Sequence, residues 1–157
     1  MGLRISSLDM EKGGALLDVR EGSMTTYFVY GNKANLMVAI RSTEYHSKPH
    51  RHDCEQLNYL LNGELWIFIE DQAFHLSQGD FLRIPRNVVH WAWNRGTEPC
   101  TLIEVHAPVL DPDTRRGSVG LFAENEVSAV ERSPATQRVE YDAGAVEAKT
   151  FRKEGAA

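Results

Sequence analysis

The sequence predicts an all-β protein built as a single antiparallel barrel, and three observations carry that expectation. Between Thr25 and Pro108, short runs rich in Tyr, Phe, Val, Ile and Trp recur between turn residues. Few stretches carry a helical period. Asn62-Gly63 stands between two apolar runs, a pairing that favours a type I′ hairpin because both central residues of that turn need positive φ. Many short, closely spaced strands separated by turn chemistry point to an antiparallel sandwich or barrel.

In chain order, strands are expected near residues 24–30, 35–41, 55–61, 64–70, 73–76, 80–84, 90–94 and 100–106. Gly31-Asn32, Lys48-Pro49, Asn62-Gly63, Glu70-Asp71-Gln72, Gln78-Gly79, Pro85-Arg86-Asn87 and Asn94-Arg95-Gly96 break them. Residues 1–24 form an N-terminal extension suited to covering a sheet edge, residues 25–108 the barrel, and residues 109–157 a C-terminal extension that is partly ordered. In that extension Phe122, Val127, Val130, Val139 and Tyr141 are suited to pack on the barrel as short appended pieces, whereas residues 145–157 lack a core-facing pattern and are expected to fray.

Composition narrows the function. Seventeen Lys and Arg against 22 Asp and Glu give a net charge of −5, with no basic stripe to neutralise phosphates, so nucleic acid is not the expected partner. The longest apolar runs, such as Trp66-Ile67-Phe68-Ile69, are strand-sized and too short for a bilayer. Met1 to Glu11 has one Arg, two acids and no apolar block, unlike a secretory signal. Two cysteines, Cys54 and Cys100, make a poor disulfide framework. The expected location is therefore the reducing cytoplasm.

All six histidines fall between positions 46 and 106. His50 and His52 sit two apart, so on a strand both rings point to one face and can converge on one ion. Gln56 follows His52 by four and precedes Gly63 by seven; farther on come Gly79, Pro85, Asn87, His90 and Asn94. In this the sequence resembles the cupin superfamily, whose motifs are G-x5-H-x-H-x3,4-E-x6-G and G-x5-P-x-G-x2-H-x3-N. Glu44 and Asn87 replace glycines of those motifs, and Asn tolerates the left-handed backbone better than most residues. Gln56 replaces the glutamate. Glu55 is its neighbour, but strand parity turns adjacent residues to opposite faces, which leaves Glu55 outward.

The resemblance, which covers residues 25–108, implies a jelly-roll barrel holding one divalent transition metal (Fe, Mn, Ni, Zn or Cu) on His50, His52, His90 and Gln56. A neutral Gln56 leaves the full ionic charge to attract a small anionic substrate. Each of these residues has a plainer alternative. A lone histidine pair sits as well on a solvated strand, and Gln56 as well in a hydrogen-bonding role. His46 lies in a polar run and is expected to be exposed; His75 and a buried Cys54 are expected to be structural. Trp91 and Trp93 alternate with His90 and should face away from the site, while Trp66 and Phe68 serve as core or as pocket wall.

Leu102, Glu104 and His106 share one face of the last barrel strand. If that face points inward, Glu104 and His106 are the candidate catalytic acid/base groups; alternation alone also allows an outward, wet pair. Arg115 and Arg116 follow, suited to clamping a carboxylate or to solvation. The Gln at the fourth position and Glu104-Val-His106-Ala-Pro108 are similar to cupins of the pectin-degradation type, which open unsaturated uronates. That similarity implies Lewis-acid isomerisation, tautomerisation or elimination on a small carboxylate or sugar acid. The alternatives are a non-haem iron dioxygenase and a non-enzymatic ligand-binding cupin. A homodimer is expected in each case.

Overall fold

The computed structural model describes residues 13–15, 19–110 and 136–154 of the chain. In chain order its strands are β1 (Gly13–Ala15), β2 (Val19–Glu21), β3 (Met24–Tyr30), β4 (Asn35–Arg41), β5 (His46–Ser47), β6 (His50–His52) and β7 (Glu55–Asn62). There follow β8 (Glu64–Ile69), β9 (Gln72–Ser77), β10 (Phe81–Ile84), β11 (His90–Trp93), β12 (Cys100–Ala107) and β13 (Thr136–Arg138), then the helix α1 (Ala143–Glu154). Every pairing is antiparallel. One sheet runs β1-β3-β4-β12-β7-β10; the other runs β13-β6-β11-β5-β2, with β8 also on β11 and β9 on β8. This is the all-β jelly roll the sequence predicts.

Alternation of side chains sets what faces the interior. On β4, Asn35, Met37, Ala39 and Arg41 are buried; on β7, Gln56, Asn58 and Leu60; on β12, Cys100, Leu102, Glu104 and His106. The barrel is thus apolar at one end (Leu60, Leu65, Leu76, Cys100, Leu102) and polar at the other. Its polar lining has to be satisfied internally, because burying an unpaired polar group costs on the order of 1–3 kcal/mol.

Asn62-Gly63 does not close a hairpin. Only Gly63 has positive φ, at +79°, and β7 and β8 belong to different sheets. Gly63 is a corner that carries the chain across the barrel, and a Cβ there would lie 2.8 Å from the Cβ of Cys100. The two motif positions where glycine is replaced keep the left-handed backbone, Glu44 at φ +65° and Asn87 at +62°.

Nor do residues 145–154 fray; residues 155–157 lie outside the described residues. Asp142 caps α1, its Oδ1 accepting from the Ala145 amide at 3.0 Å. The helix then covers the outer face of the second sheet, where Trp66, Phe68, Trp91 and Trp93 stand side by side, with Ala143, Val146 and Phe151 packed on them. Phe68 stacks on Trp91 at 5.0 Å, and Phe151 meets Trp66 edge-on at 5.2 Å. The period was hidden because only three apolar contacts and one acid, Glu147, face the sheet. Tyr141 reaches Trp91, their ring centroids 5.6 Å apart, and the Val139 amide donates to the Pro49 carbonyl. Arg115, Arg116, Phe122, Val127 and Val130 lie outside the described residues.

Candidate metal centre

His50 pairs with His90 across β6 and β11, and His52 follows on the same face of β6. Their ring centroids are 4.4 to 5.0 Å apart, and one nitrogen from each of the three lies within 4.8 Å of the others, within reach of a single cation. The Nδ1 hydrogens have acceptors elsewhere. His50 Nδ1 donates to the Lys48 carbonyl at 2.7 Å and His90 Nδ1 to the Val88 carbonyl at 3.0 Å. A carbonyl only accepts, so each ring in its neutral form presents the Nε2 lone pair, the form a metal requires. His52 Nδ1 is held by Thr136 Oγ1 at 2.9 Å, supplied by β13 from the C-terminal extension. Burial, and next the charge of His50, holds His52 and His90 well below the ordinary histidine range. Both are therefore neutral at neutral pH.

Gln56 points inward on β7, while Glu55 points outward to Arg83, as parity requires. The Gln56 amide donates from Nε2 to Glu104 Oε2 and to Asn58 Oδ1, each at 2.9 Å. A carboxylate that accepts from Nε2 fixes which end of the amide faces it. Among the described residues, Oε1 is left buried without a partner, as is His90 Nε2. Two imidazole lone pairs, a third ring alongside and an orphaned amide oxygen fit a borderline divalent transition metal.

Glu104 and His106 both point inward, 2% and 0% exposed. Arg41 Nη2 donates to Glu104 Oε1 at 2.5 Å, so Glu104 joins Arg41 to Gln56. His106 is arranged oppositely to His50 and His90. Asn35 Oδ1 accepts from the Leu110 backbone amide at 2.7 Å, which turns Asn35 Nδ2 toward His106 Nδ1 at 3.0 Å. Nδ1 must then accept, and the neutral ring carries its hydrogen on Nε2. That Nε2 is 3.7 Å from Glu104 Oε2. Burial depresses the His106 pKa, against the pull of Glu104, which keeps the ring neutral.

His46 is not exposed. It is 6% exposed, stacks on Trp93 at 4.3 Å and donates from Nε2 to Glu147 Oε1 at 2.7 Å. Trp91 Nε1 donates to the same oxygen at 2.9 Å, so α1 grips the back of β11, the strand that carries His90. Trp66 and Phe68 belong to this outer layer and not to the pocket wall. His75 stacks on Trp66, and Cys54 is buried in the core, its thiol pushed up to about 11 chiefly by burial.

Sequence reasoning did not single out Arg41, Asn35, Thr136 or Glu147. Arg41 ends a strand next to a loop, where an arginine is usually solvated, and the others become meaningful only once distant strands are paired. The cavity lined by Arg41, His50, His52, Gln56, His90 and Glu104 has a volume of about 30 Å³.

Residues 36–106 match the family described as Cupin domain. No curated protein matches the sequence. Among solved structures, the polyketide cyclase RemF from Streptomyces resistomycificus is 16% identical with a TM-score of 0.61, covering 96% of this chain and 94% of its own. An RmlC-like cupin from Shewanella frigidimarina is 16% identical with a TM-score of 0.58, covering 69% and 92%. KdgF from Halomonas sp. is 20% identical with a TM-score of 0.51, covering 54% and 78%. At these identities the likeness is one of fold. The domain match over the barrel strands and the shared two-sheet architecture support the cupin superfamily for this chain.

Proposed function

We propose that the chain is a metal-dependent enzyme that isomerises, tautomerises or eliminates on a small carboxylate or sugar acid. The observation that carries this reading is the contrast between ring forms: lone pairs at His50 and His90, but a hydrogen at His106 Nε2 beside Glu104. His50, His52, His90 and Gln56 would hold the ion, which when bound supplies Lewis acidity toward a carbonyl or carboxylate oxygen. His106 then donates its Nε2 hydrogen to oxygen charge as it develops, a task suited to a neutral imidazole in a buried site. Glu104 Oε2, the nearest carboxylate oxygen, takes up or returns the moved proton. Gln56 and Arg41 keep Glu104 in place meanwhile. The similarity to the pectin-degradation type of cupin, and the fold shared with KdgF, support an unsaturated uronate as the first substrate to try.

The test is turnover of an unsaturated uronate and small keto and hydroxy acids under argon. Turnover without oxygen supports the proposal, and Glu104→Gln should then lower kcat by about 10²-fold with metal retained. Oxygen uptake stoichiometric with substrate loss in the iron-loaded protein would overturn it.

A further inference from the structure

Arg41 is more than the partner of Glu104. Its guanidinium is buried, lines the cavity together with His50, His52, Gln56 and His90, and spends one nitrogen, Nη2, on Glu104. Among the described residues, Nε and Nη1 are buried with no hydrogen-bond partner. Arginine has five N–H donors in a planar fork and no way to shed its charge, so two buried and unanswered nitrogens are costly unless something else accepts from them. The ring of Tyr45 lies under the fork, its centroid 5.2 Å from Cζ, and keeps it from swinging to solvent. Met24, Met37, Ile67 and Leu102 supply apolar walls that offer no competing acceptor.

We infer that Arg41 is the anion-recognition group of the pocket, its unanswered N–H groups receiving the carboxylate of a small organic acid whose second oxygen function faces the histidines. The inference rests on the proposed function for what lies at the histidine end, but not for the carboxylate seat itself. A guanidinium keeps its charge, so its unanswered N–H groups hold a carboxylate more firmly than an uncharged amide. The narrow cavity restricts the ligand to a small acid or the slender end of a larger one. Glu104 occupies the third nitrogen and competes with the ligand for the same charge. It therefore tunes how tightly an anion binds.

Isothermal titration with malonate, and with malonamide as its uncharged counterpart, tests this in chelator-treated and in metal-loaded protein. Wild-type protein should bind malonate and not malonamide in both forms. Arg41→Met combined with Glu104→Gln removes both buried charges together. That variant should melt cooperatively and bind malonate on the order of 10- to 100-fold more weakly. Glu104→Gln alone should bind malonate more tightly than wild type. If the double variant does not fold, Glu104→Gln alone decides: tighter binding supports Arg41 as the seat, and unchanged or weaker binding overturns it. Equal binding of malonate and malonamide, or undiminished binding by the folded double variant, also overturns it. A protein that takes no metal yet binds malonate through Arg41 would refute the metal-dependent function and leave this inference standing.

Discussion

His50 and His90 stand opposite each other in the β6–β11 pairing, and each gives its Nδ1 hydrogen to the carbonyl of the residue two places before it, Lys48 and Val88. The same local device thus sets both rings in the same form from two separate strands. His106 has no such carbonyl; Asn35 donates to its Nδ1 instead. The barrel interior consequently holds rings that offer a lone pair and, beside His52, a ring that offers a hydrogen.

That contrast is visible spectroscopically. Imidazole ¹⁵N spectra of the metal-free protein at neutral pH should show His50 and His90 protonated at Nδ1 and His106 at Nε2. Asn35→Leu should release His106 into a mixture of forms and leave the other two unchanged. A His106 protonated at Nδ1 in the wild type would remove its assigned role as donor.

Acid should destabilise the metal-free protein. His52 and His90 are held well below the ordinary 6.5, first by burial, so the unfolded chain binds protons near that pH while the folded chain does not. Stability present above about pH 6.5 is then lost as pH falls below it, on the order of 1.4 kcal/mol per pH unit for each histidine. Melts between pH 5 and 8 check this, and a flat profile contradicts it.

The helix α1 should matter to metal retention although it touches none of the ligands. Phe151→Ala removes the ring between Trp66 and Trp93 and should cost on the order of 2 kcal/mol. Glu147→Ala strips His46 and Trp91 of their shared acceptor behind His90. Both variants should lose metal faster to a chelator than wild type. Urea melts and chelator kinetics read the two effects separately.

The outer face of the six-stranded sheet exposes Val29, Leu36, Ile40, Leu57, Leu61 and Phe81, with Phe81 77% exposed. A contiguous apolar face of this kind is usually an interface. A second copy of the chain is the occupant we expect, and light scattering should give twice the chain mass. Leu57→Lys with Ile40→Lys should yield a folded monomer. A monomeric wild type at micromolar concentration would contradict the expectation.

The barrel was legible because β4, β7 and β12 write the period of two into their residues, and because His50, His52 and His90 keep their spacings. Parity alone separated Gln56 from Glu55. The direction in which Glu104 and His106 point was not legible, since both faces of β12 alternate equally well and only pairing with Met37 and Asn58 decides. Gly63 carried a turn signal that does not distinguish a hairpin from a corner between sheets. The helix α1 and the burial of His46 depend on each other across more than a hundred residues, and no local pattern encodes such a contact.

Metal content per chain, measured on protein purified without chelator, tests the central claim most directly. About one transition-metal ion per chain is expected in the wild type, with loss to background in His50→Ala and in His90→Ala while both variants stay folded. A wild type free of metal even after loading, or variants that retain it in full, would contradict the claim.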